Sequence, residues 1–237
     1  MIEKRAVILA GGKGTRLKPY TVVLPKPLMP IGDYPILEVI VRQLKEHGFT
    51  HITMAVNHQA EIIKAFFGNG SKWNLKIDYS LEEKSLSTMA PLKLIEDLPD
   101  NFLVMNGDIL TDLDYERFYE NHVKNNHIFT ISSYQREVKS EFGVLDVDAK
   151  NILYGFREKP TSTYDVSMGI YMVSKKAVEY IPTNVFYGFD HLMIDLMKNN
   201  EKPKVDKFNG YWLDIGRPDD YAQAIDEFDC MKEKFIK

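Results

Sequence analysis

Apolar residues along this chain fall into two kinds of run. Residues 6–9 and 102–105 are unbroken, as in strands buried on both faces, and residues 52–56 read as a further strand. Between them come residues at helical spacing. Ile36, Leu37, Ile40, Val41 and Leu44 share one face of a predicted helix that Gly48 stops. A second helix is predicted over 61–67, and residues 75–79 alternate like a strand after the turn cluster at 68–71. Tyr115, Phe118, Tyr119 and His122 mark a third helix, Phe189, Leu192, Met193, Leu196 and Met197 a fourth, and Tyr221, Ala224, Ile225, Phe228 and Phe235 a last one. Strands alternating with helices predict crossover connections and a parallel sheet, in which ligands collect at the carboxyl ends of the strands. The second half changes texture. Residues 128–131, 143–148, 152–156 and 166–173 are short strand candidates parted by brief turns, which predicts antiparallel pairing. The expected fold is therefore α/β, a mixed and mostly parallel central sheet flanked by helices, with a small antiparallel extension, in one domain over residues 1–237.

Composition narrows the classes. The 237 residues suffice for a full α/β core, and 44% apolar with 27% charged is ordinary for a globular protein. A net charge of −4 and a pI near 5.9 give no electrostatic footprint for nucleic acid. The single cysteine, Cys230, excludes an internal disulfide. No signal peptide or spanning apolar run is visible, so the expected compartment is the cytoplasm with no membrane partner. Homo-oligomer formation stays open.

Chemistry concentrates after the first strand, in Leu9-Ala10-Gly11-Gly12-Lys13-Gly14-Thr15-Arg16-Leu17 and on to Pro25-Lys26-Pro27. Gly11, Gly12 and Gly14 let backbone N–H groups turn toward one point and let a polyanion approach with no Cβ in the way, while Arg16 and Lys26 add fixed positive charge. A P-loop would need Gly-x-x-x-x-Gly-Lys-Ser/Thr, and a dinucleotide fingerprint would need a third glycine where Leu17 stands. Pro19, Pro25, Pro27 and Pro30 forbid an immediate regular helix, so the loop is long and wraps its ligand. On spacing alone, a surface glycine turn with incidental basic residues is the alternative. A second signal is Asn106-Gly107-Asp108 at the end of an apolar strand. The glycine permits a tight exit, and the carboxylate is placed either to share Mg²⁺ with a triphosphate or to cap the following turn. Asp112 and Asp114 read as caps of the third helix, and His58 as an exposed loop residue.

Leu-Ala-Gly-Gly-x-Gly-Thr-Arg-Leu-x-Pro, then Thr21 and Pro25-Lys26-Pro27-x-x-Pro30-Ile31, closely resembles the signature of the sugar-1-phosphate nucleotidyltransferases, and the likeness extends over nearly the whole chain. The resemblance implies a Rossmann-like nucleotidyltransferase fold, with about residues 1–112 as a nucleotide-binding half and 113–237 as a sugar-binding half. It implies that Leu9, Ala10, Gly11, Gly12, Gly14 and Thr15 bind nucleotide, that Arg16 holds the leaving pyrophosphate and Lys26 the α-phosphate, and that Asp108 binds Mg²⁺. Gln59 lies where relatives contact the base, and on its own residues it reads equally as a helix start. Relatives commonly show Glu, a few residues, then Leu-Gly-Thr-Ala-Gly-Ala/Pro-Leu as a base pocket. Glu82, Leu86, Thr88 and Leu92 match, whereas Ser87 and Ala90 stand at the two glycine positions. A glycine lost there adds a Cβ where a base packs and puts a non-glycine residue in a costly conformation. Phe142-Gly143-Val144, Glu158-Lys159-Pro160 and Gly169-Ile170-Tyr171 match the sugar-side motifs. By likeness Gly143 and Glu158 contact sugar hydroxyls, Lys159 reaches the sugar phosphate, Gly169 belongs to the same site, and Ser167 replaces an Asn common in relatives. Trp212-x-Asp214-Ile215-Gly216-x-Pro218 matches the block whose aspartate is the second metal ligand. No hexapeptide repeat of the left-handed β-helix that many relatives carry is present, so no such domain is expected.

The activity implied is transfer of a nucleoside monophosphate from NTP to a sugar 1-phosphate, with Mg²⁺ and release of pyrophosphate. GTP is the expected donor, because Lys26-Pro27-Leu28-x-Pro30 and Pro91-Leu92 look more like the mannose- and heptose-1-phosphate guanylyltransferase branch than the thymidylyl branch. The alternatives are uridylyl, thymidylyl or cytidylyl transfer to another sugar 1-phosphate or phosphomonoester, and a catalytically silent sugar-nucleotide-binding regulator, which Ser87 and Ala90 keep in play.

Overall fold

The computed structural model describes residues 3–57, 59–216 and 218–236, and His58, expected as an exposed loop residue, lies outside the described residues. The first half is built from β1 (Arg5–Leu9), α1 (Ile36–Glu46), β2 (His51–Val56), α2 (Ala60–Phe67), β3 (Lys76–Leu81) and β4 (Asn101–Asn106). Then follow β5 (Ile109–Thr111), α3 (Tyr115–Lys124), β6 (Phe129–Lys139), β7 (Val144–Val147), β8 (Leu153–Arg157) and β9 (Thr161–Ser174). The chain continues through α4 (Phe189–Lys198), β10 (Lys204–Phe208), β11 (Trp212–Asp214) and α5 (Pro218–Phe235).

A seven-stranded sheet in the order β10-β6-β9-β4-β1-β2-β3 organises these elements. β1 pairs parallel with β2 and β4, β2 with β3, and β10 with β6, whereas β9 is antiparallel to both β4 and β6. The expected mixed, mostly parallel sheet is thus present, with β9 alone reversed. Two apolar cores explain the unbroken hydrophobic runs. On β4, Leu103 and Met105 enter one core with Leu37, Phe118 and Phe228, while Phe102 and Val104 enter the other with Leu92 and Leu192. A strand with a core on each face has no water-facing side on which polar residues would alternate.

The second half departs from expectation in length. The candidates at 128–131 and 166–173 are the buried ends of longer strands, for β6 runs on to Lys139 and β9 begins at Thr161, in register from Thr161↔Lys139 to Ser167↔Ser133. Residues 135–139 are exposed on both faces, so no hydrophobic period marks them. The edge strand β10 is invisible for the same reason: Lys204-Val205-Asp206-Lys207-Phe208 is held by pairing with β6 rather than by burial. The predicted caps also divide. Asp114 caps α3, its carboxylate accepting from the Arg117 N–H at 3.0 Å, but Asp112 accepts from the Tyr211 N–H at 2.7 Å and holds the approach to β11 instead. Among the described residues no helix is long and apolar enough to cross a membrane.

Candidate active site

The glycine loop leaves the carboxyl end of β1 pinned on both sides. Ala10 N–H donates to the Ala55 carbonyl at 2.8 Å, and Gly107 N–H donates to the Leu9 carbonyl at 3.0 Å. Gly14 sits at φ +58°, where its carbonyl accepts from Thr21 Oγ1 at 2.7 Å, and a Cβ there would lie 2.8 Å from Thr21 Cγ2 and 3.0 Å from Lys26 Cβ. Only glycine fits that turn. A Cβ on Gly12 would meet nothing within 4 Å, so this stretch of backbone faces open space into which a ligand can come close. As the prolines require, the loop proceeds by three short 3₁₀ turns, Thr15–Leu17, Tyr20–Val22 and Lys26–Leu28, rather than by an α-helix.

Asp108 and Asp214 are brought together by a small second ladder. β11 pairs antiparallel with β5, placing Asp214 opposite Ile109, and Ile215 N–H donates to the Asp108 carbonyl at 3.0 Å. The ladder is anchored from beneath: the buried Thr111 donates its hydroxyl to the Tyr211 carbonyl at 2.7 Å, and its own carbonyl accepts from Gln43 Nε2 at 2.7 Å. At the junction Lys26 Nζ donates to Asp108 Oδ2, and Gly216 N–H donates to Asp214 Oδ1 at 2.9 Å. A Cβ on Gly216 would sit 2.7 Å from Asp214 Oδ1 and 2.9 Å from both Arg16 Nη2 and Lys26 Nζ, so two cations and a carboxylate close around one glycine. Burial lowers the Lys26 pKa to about 8, against the pull of Asp214 and helped by the nearby Arg16 guanidinium.

These parts line a cavity of about 370 Å³. It gathers Leu9, Gly11, Gly12, Gly14, Thr15, Arg16, Lys26, Glu82, Ser87, Thr88 and Asp108 from the sequence reading, and adds Pro27, Ser85, Asn106, Gly107 and Gly216, to which that reading gave no ligand-binding role. Asn106 was legible only as the polar end of an apolar strand. Glu82 is buried, accepts from the Leu86 N–H at 3.2 Å through Oε2, and turns Oε1 to within 3.1 Å of where a Gly11 Cβ would be. Burial raises its pKa, partly offset by that backbone hydrogen bond. Ser87 holds φ +71°, a left-handed backbone that favours glycine and that a serine adopts at a cost.

The remaining candidates lie elsewhere. Ala10 is 4% exposed and sits beneath the loop rather than on the cavity wall. Gln59 borders a separate small hollow behind Gly11 and Gly12 with Pro25 and Asn57. Asp214 reaches the cavity edge through Gly216. Gly169, at φ +73°, abuts the cavity floor, since a Cβ on it would lie 2.5 Å from Asn106 Nδ2. Gly143, Glu158 and Lys159 are exposed and line no part of the cavity, although Gly143 and Glu158 are neighbours, a Gly143 Cβ falling 3.1 Å from Glu158 Oε2. Lys159 takes φ +41°, which turns the chain sharply into β9.

A glycine loop, the cations Arg16 and Lys26 and two aspartates gathered at one cavity narrow the class, and comparison with known proteins agrees. Residues 5–229 match the family described as Nucleotidyl transferase, and the chain belongs to it. It is 32% identical to the UTP-glucose-1-phosphate uridylyltransferase of a Synechocystis strain, with 93% of this chain and 62% of that protein covered. It is 31% identical to the mannose-1-phosphate guanyltransferase of Pichia angusta (93% and 63%) and 31% identical to the D-glycero-alpha-D-manno-heptose 1-phosphate guanylyltransferase of Campylobacter jejuni (93% and 98%). The chain thus spans about three-fifths of the first two relatives' length and nearly all of the third's. The crystal structure of HddC from Yersinia pseudotuberculosis superimposes with a TM-score of 0.73 at 30% identity, covering 95% of this chain and 99% of that one, and the same protein is known complexed with GMP-PN.

Proposed function

We propose that this chain transfers a nucleoside monophosphate from GTP to a sugar 1-phosphate, releasing pyrophosphate. What carries the reading is the single cavity in which the glycine loop, Arg16, Lys26, Asp108 and Glu82 meet. A phosphate monoester is already a competent nucleophile, so the protein need only align and neutralise two polyanions. An oxygen of the sugar phosphate attacks the α-phosphorus in line, the bond from that phosphorus to the bridging oxygen breaks, and the electron pair leaves with pyrophosphate. The loop N–H groups and the planar fork of Arg16 hold the departing phosphates, and Lys26 holds the α-phosphate. Asp108 and Asp214 suit Mg²⁺, which takes one or two carboxylates and fills its remaining positions with phosphate oxygens and water. The fit rests on two aspartates whose backbones the Ile215 N–H to Asp108 carbonyl hydrogen bond holds side by side, with a Gly216 Cβ position within 2.7 Å of Asp214 Oδ1 and 2.9 Å of the Lys26 Nζ that bonds Asp108. When bound, the ion would neutralise charge on the phosphate oxygens.

Guanine is favoured at the base end because its N1–H and N2–H₂ edge donates, and a carboxylate such as Glu82 only accepts. The guanylyltransferase relatives and the GMP-PN complex of HddC support the same choice, while the Synechocystis relative supports uridylyl transfer. A pyrophosphate-release assay with Mg²⁺, GTP, UTP, dTTP and CTP, and mannose, glucose and manno-heptose 1-phosphates, tests both levels. GTP should give the fastest release. A pyrimidine preference would overturn the base assignment, and no release with any pair would leave the silent regulator as the reading.

A further inference from the structure

The cavity wall that carries Ser85, Ser87 and Thr88 belongs to no strand or helix and is held instead by a distant stretch of chain. Tyr187 N–H donates to the Leu86 carbonyl at 3.0 Å, and the Tyr187 carbonyl accepts from the N–H groups of Met89 at 3.1 Å and Ala90 at 3.0 Å. Phe189 N–H, at the start of α4, donates to Thr88 Oγ1 at 3.0 Å. The clamp is itself anchored. Tyr187 is buried with its hydroxyl donating to Asp195 Oδ2 at 2.8 Å, and the Phe189 ring stacks on Tyr171 of β9 with 4.7 Å between centroids. A left-handed serine persists only where its surroundings over-determine it, and these bonds on both sides of Ser87 do so.

The Ser87 side chain also needs space, and Gly188 provides it. Gly188 has ordinary extended backbone, φ −99° and ψ −179°, so no conformational demand calls for glycine there. The demand is one of contact. A Cβ at 188 would lie 2.9 Å from Ser87 Oγ, whereas its other close neighbour, Asp190 Oδ1 at 2.6 Å, ends a side chain that is 74% exposed and can swing into water.

We propose that Gly188 is a positioning residue for the nucleotide: by lacking a Cβ it gives the Ser87 hydroxyl room behind the wall and so keeps it out of the space that the base enters. The inference rests on the reading that the cavity takes an NTP with its base against residues 85–88. Ser87 lines the cavity and Gly188 does not, so Gly188 stands behind Ser87 as seen from the ligand. A methyl group at 188 leaves two ways to relieve the contact, rotation of the hydroxyl about χ1 or movement of the whole wall off α4, and each carries atoms away from 188 toward the cavity.

Calorimetric titration of the full chain in Mg²⁺ with GTP, UTP, dTTP and CTP first identifies the tightest-binding NTP, expected to be GTP. Gly188→Ala should weaken that binding and raise KM for the same NTP roughly tenfold, the scale of overpacking by one methyl group, with kcat and KM for the sugar 1-phosphate unchanged. Adding Ser87→Gly to Gly188→Ala should restore binding to within about twofold of Ser87→Gly alone, because the two groups no longer meet. If Gly188→Ala melts too low to titrate, the double variant carries the test, since it must then fold and bind as Ser87→Gly does. Undiminished NTP binding by Gly188→Ala, whatever its melting temperature, would overturn the inference and leave the NTP reading standing, as would a double variant no better than Gly188→Ala. An unsubstituted chain that binds none of the four NTPs would overturn the reading and the inference with it.

Discussion

The glycine loop and the β7–β8 hairpin both carry family-like motifs, yet they are held in opposite ways. The loop is fastened between β2 and β4 by backbone hydrogen bonds, its turn at Gly14 tolerates no side chain, and its cations meet carboxylates from two other segments. Among the described residues the hairpin's strands pair only with each other, and the neighbouring Glu158 and Lys159 stand in solvent. A polyanion's charge has to be met by groups already in place, because reorganising charge during reaction is costly, whereas sugar hydroxyls are matched by a few hydrogen bonds of modest net worth. The difference teaches where preorganisation is concentrated, and it predicts unequal consequences of mutation in the two regions.

The largest effect should follow from Asp108→Asn or Asp214→Asn. Each keeps size and removes charge, so melting temperature should hold while turnover falls by roughly three orders of magnitude or more. Near-normal turnover at saturating Mg²⁺ would remove the metal assignment. On the hairpin, Glu158→Gln should raise KM for the sugar 1-phosphate by roughly tenfold, about the worth of one charge-assisted hydrogen bond, and leave KM for GTP and the melting temperature unchanged. An equal effect on GTP would mean that the two regions act as one site.

A third prediction concerns the scaffold beneath both regions. His122 on α3 is buried, its Nδ1 lies 2.8 Å from Thr130 Oγ1 on β6, and its Nε2 has no partner among the described residues. Burial, with His127 nearby, lowers its pKa from 6.5 to about 4. The unfolded chain takes up the proton below pH 6.5 and the native chain does not, so this stability is complete above pH 6.5 and is lost as pH falls toward 4. Urea midpoints between pH 7 and 4.5 should show that decline, and it should be shallower in His122→Gln. The smallest effect belongs to Ser87→Gly. Releasing a serine from φ +71° should stabilise the chain by about 1 kcal/mol at most and loosen discrimination among NTPs without abolishing turnover. A destabilised glycine variant would show that Ser87 holds that conformation through contacts worth more than the strain.

Much of the proposed nucleotide side was legible because local rules and the tertiary structure agree there. The unbroken run at 102–105 predicts a strand buried on both faces, Gly11, Gly12 and Gly14 predict a loop that a ligand can approach with no Cβ in the way, and Asn106-Gly107-Asp108 predicts a carboxylate at a strand end. What could not be read was set by pairing rather than by burial. Residues 135–139 and 204–208 are strands because neighbouring strands hold them, and their own side chains carry no period. Asp112 reads as a cap because its role at Tyr211 depends on a segment far away in the chain. The same limit hid Gly216, whose place between Arg16, Lys26 and Asp214 arises only when β11 docks on β5.

Amide hydrogen exchange of the full chain, followed with GTP and Mg²⁺ alone and then with a sugar 1-phosphate added, tests the division between the two regions most directly. The account predicts that GTP slows exchange at 11–16, 82–88 and 106–108 and leaves 143–158 unchanged, and that the sugar 1-phosphate then slows exchange around Gly143 and Glu158. Protection of the hairpin by GTP alone, or none in the glycine loop, would contradict it.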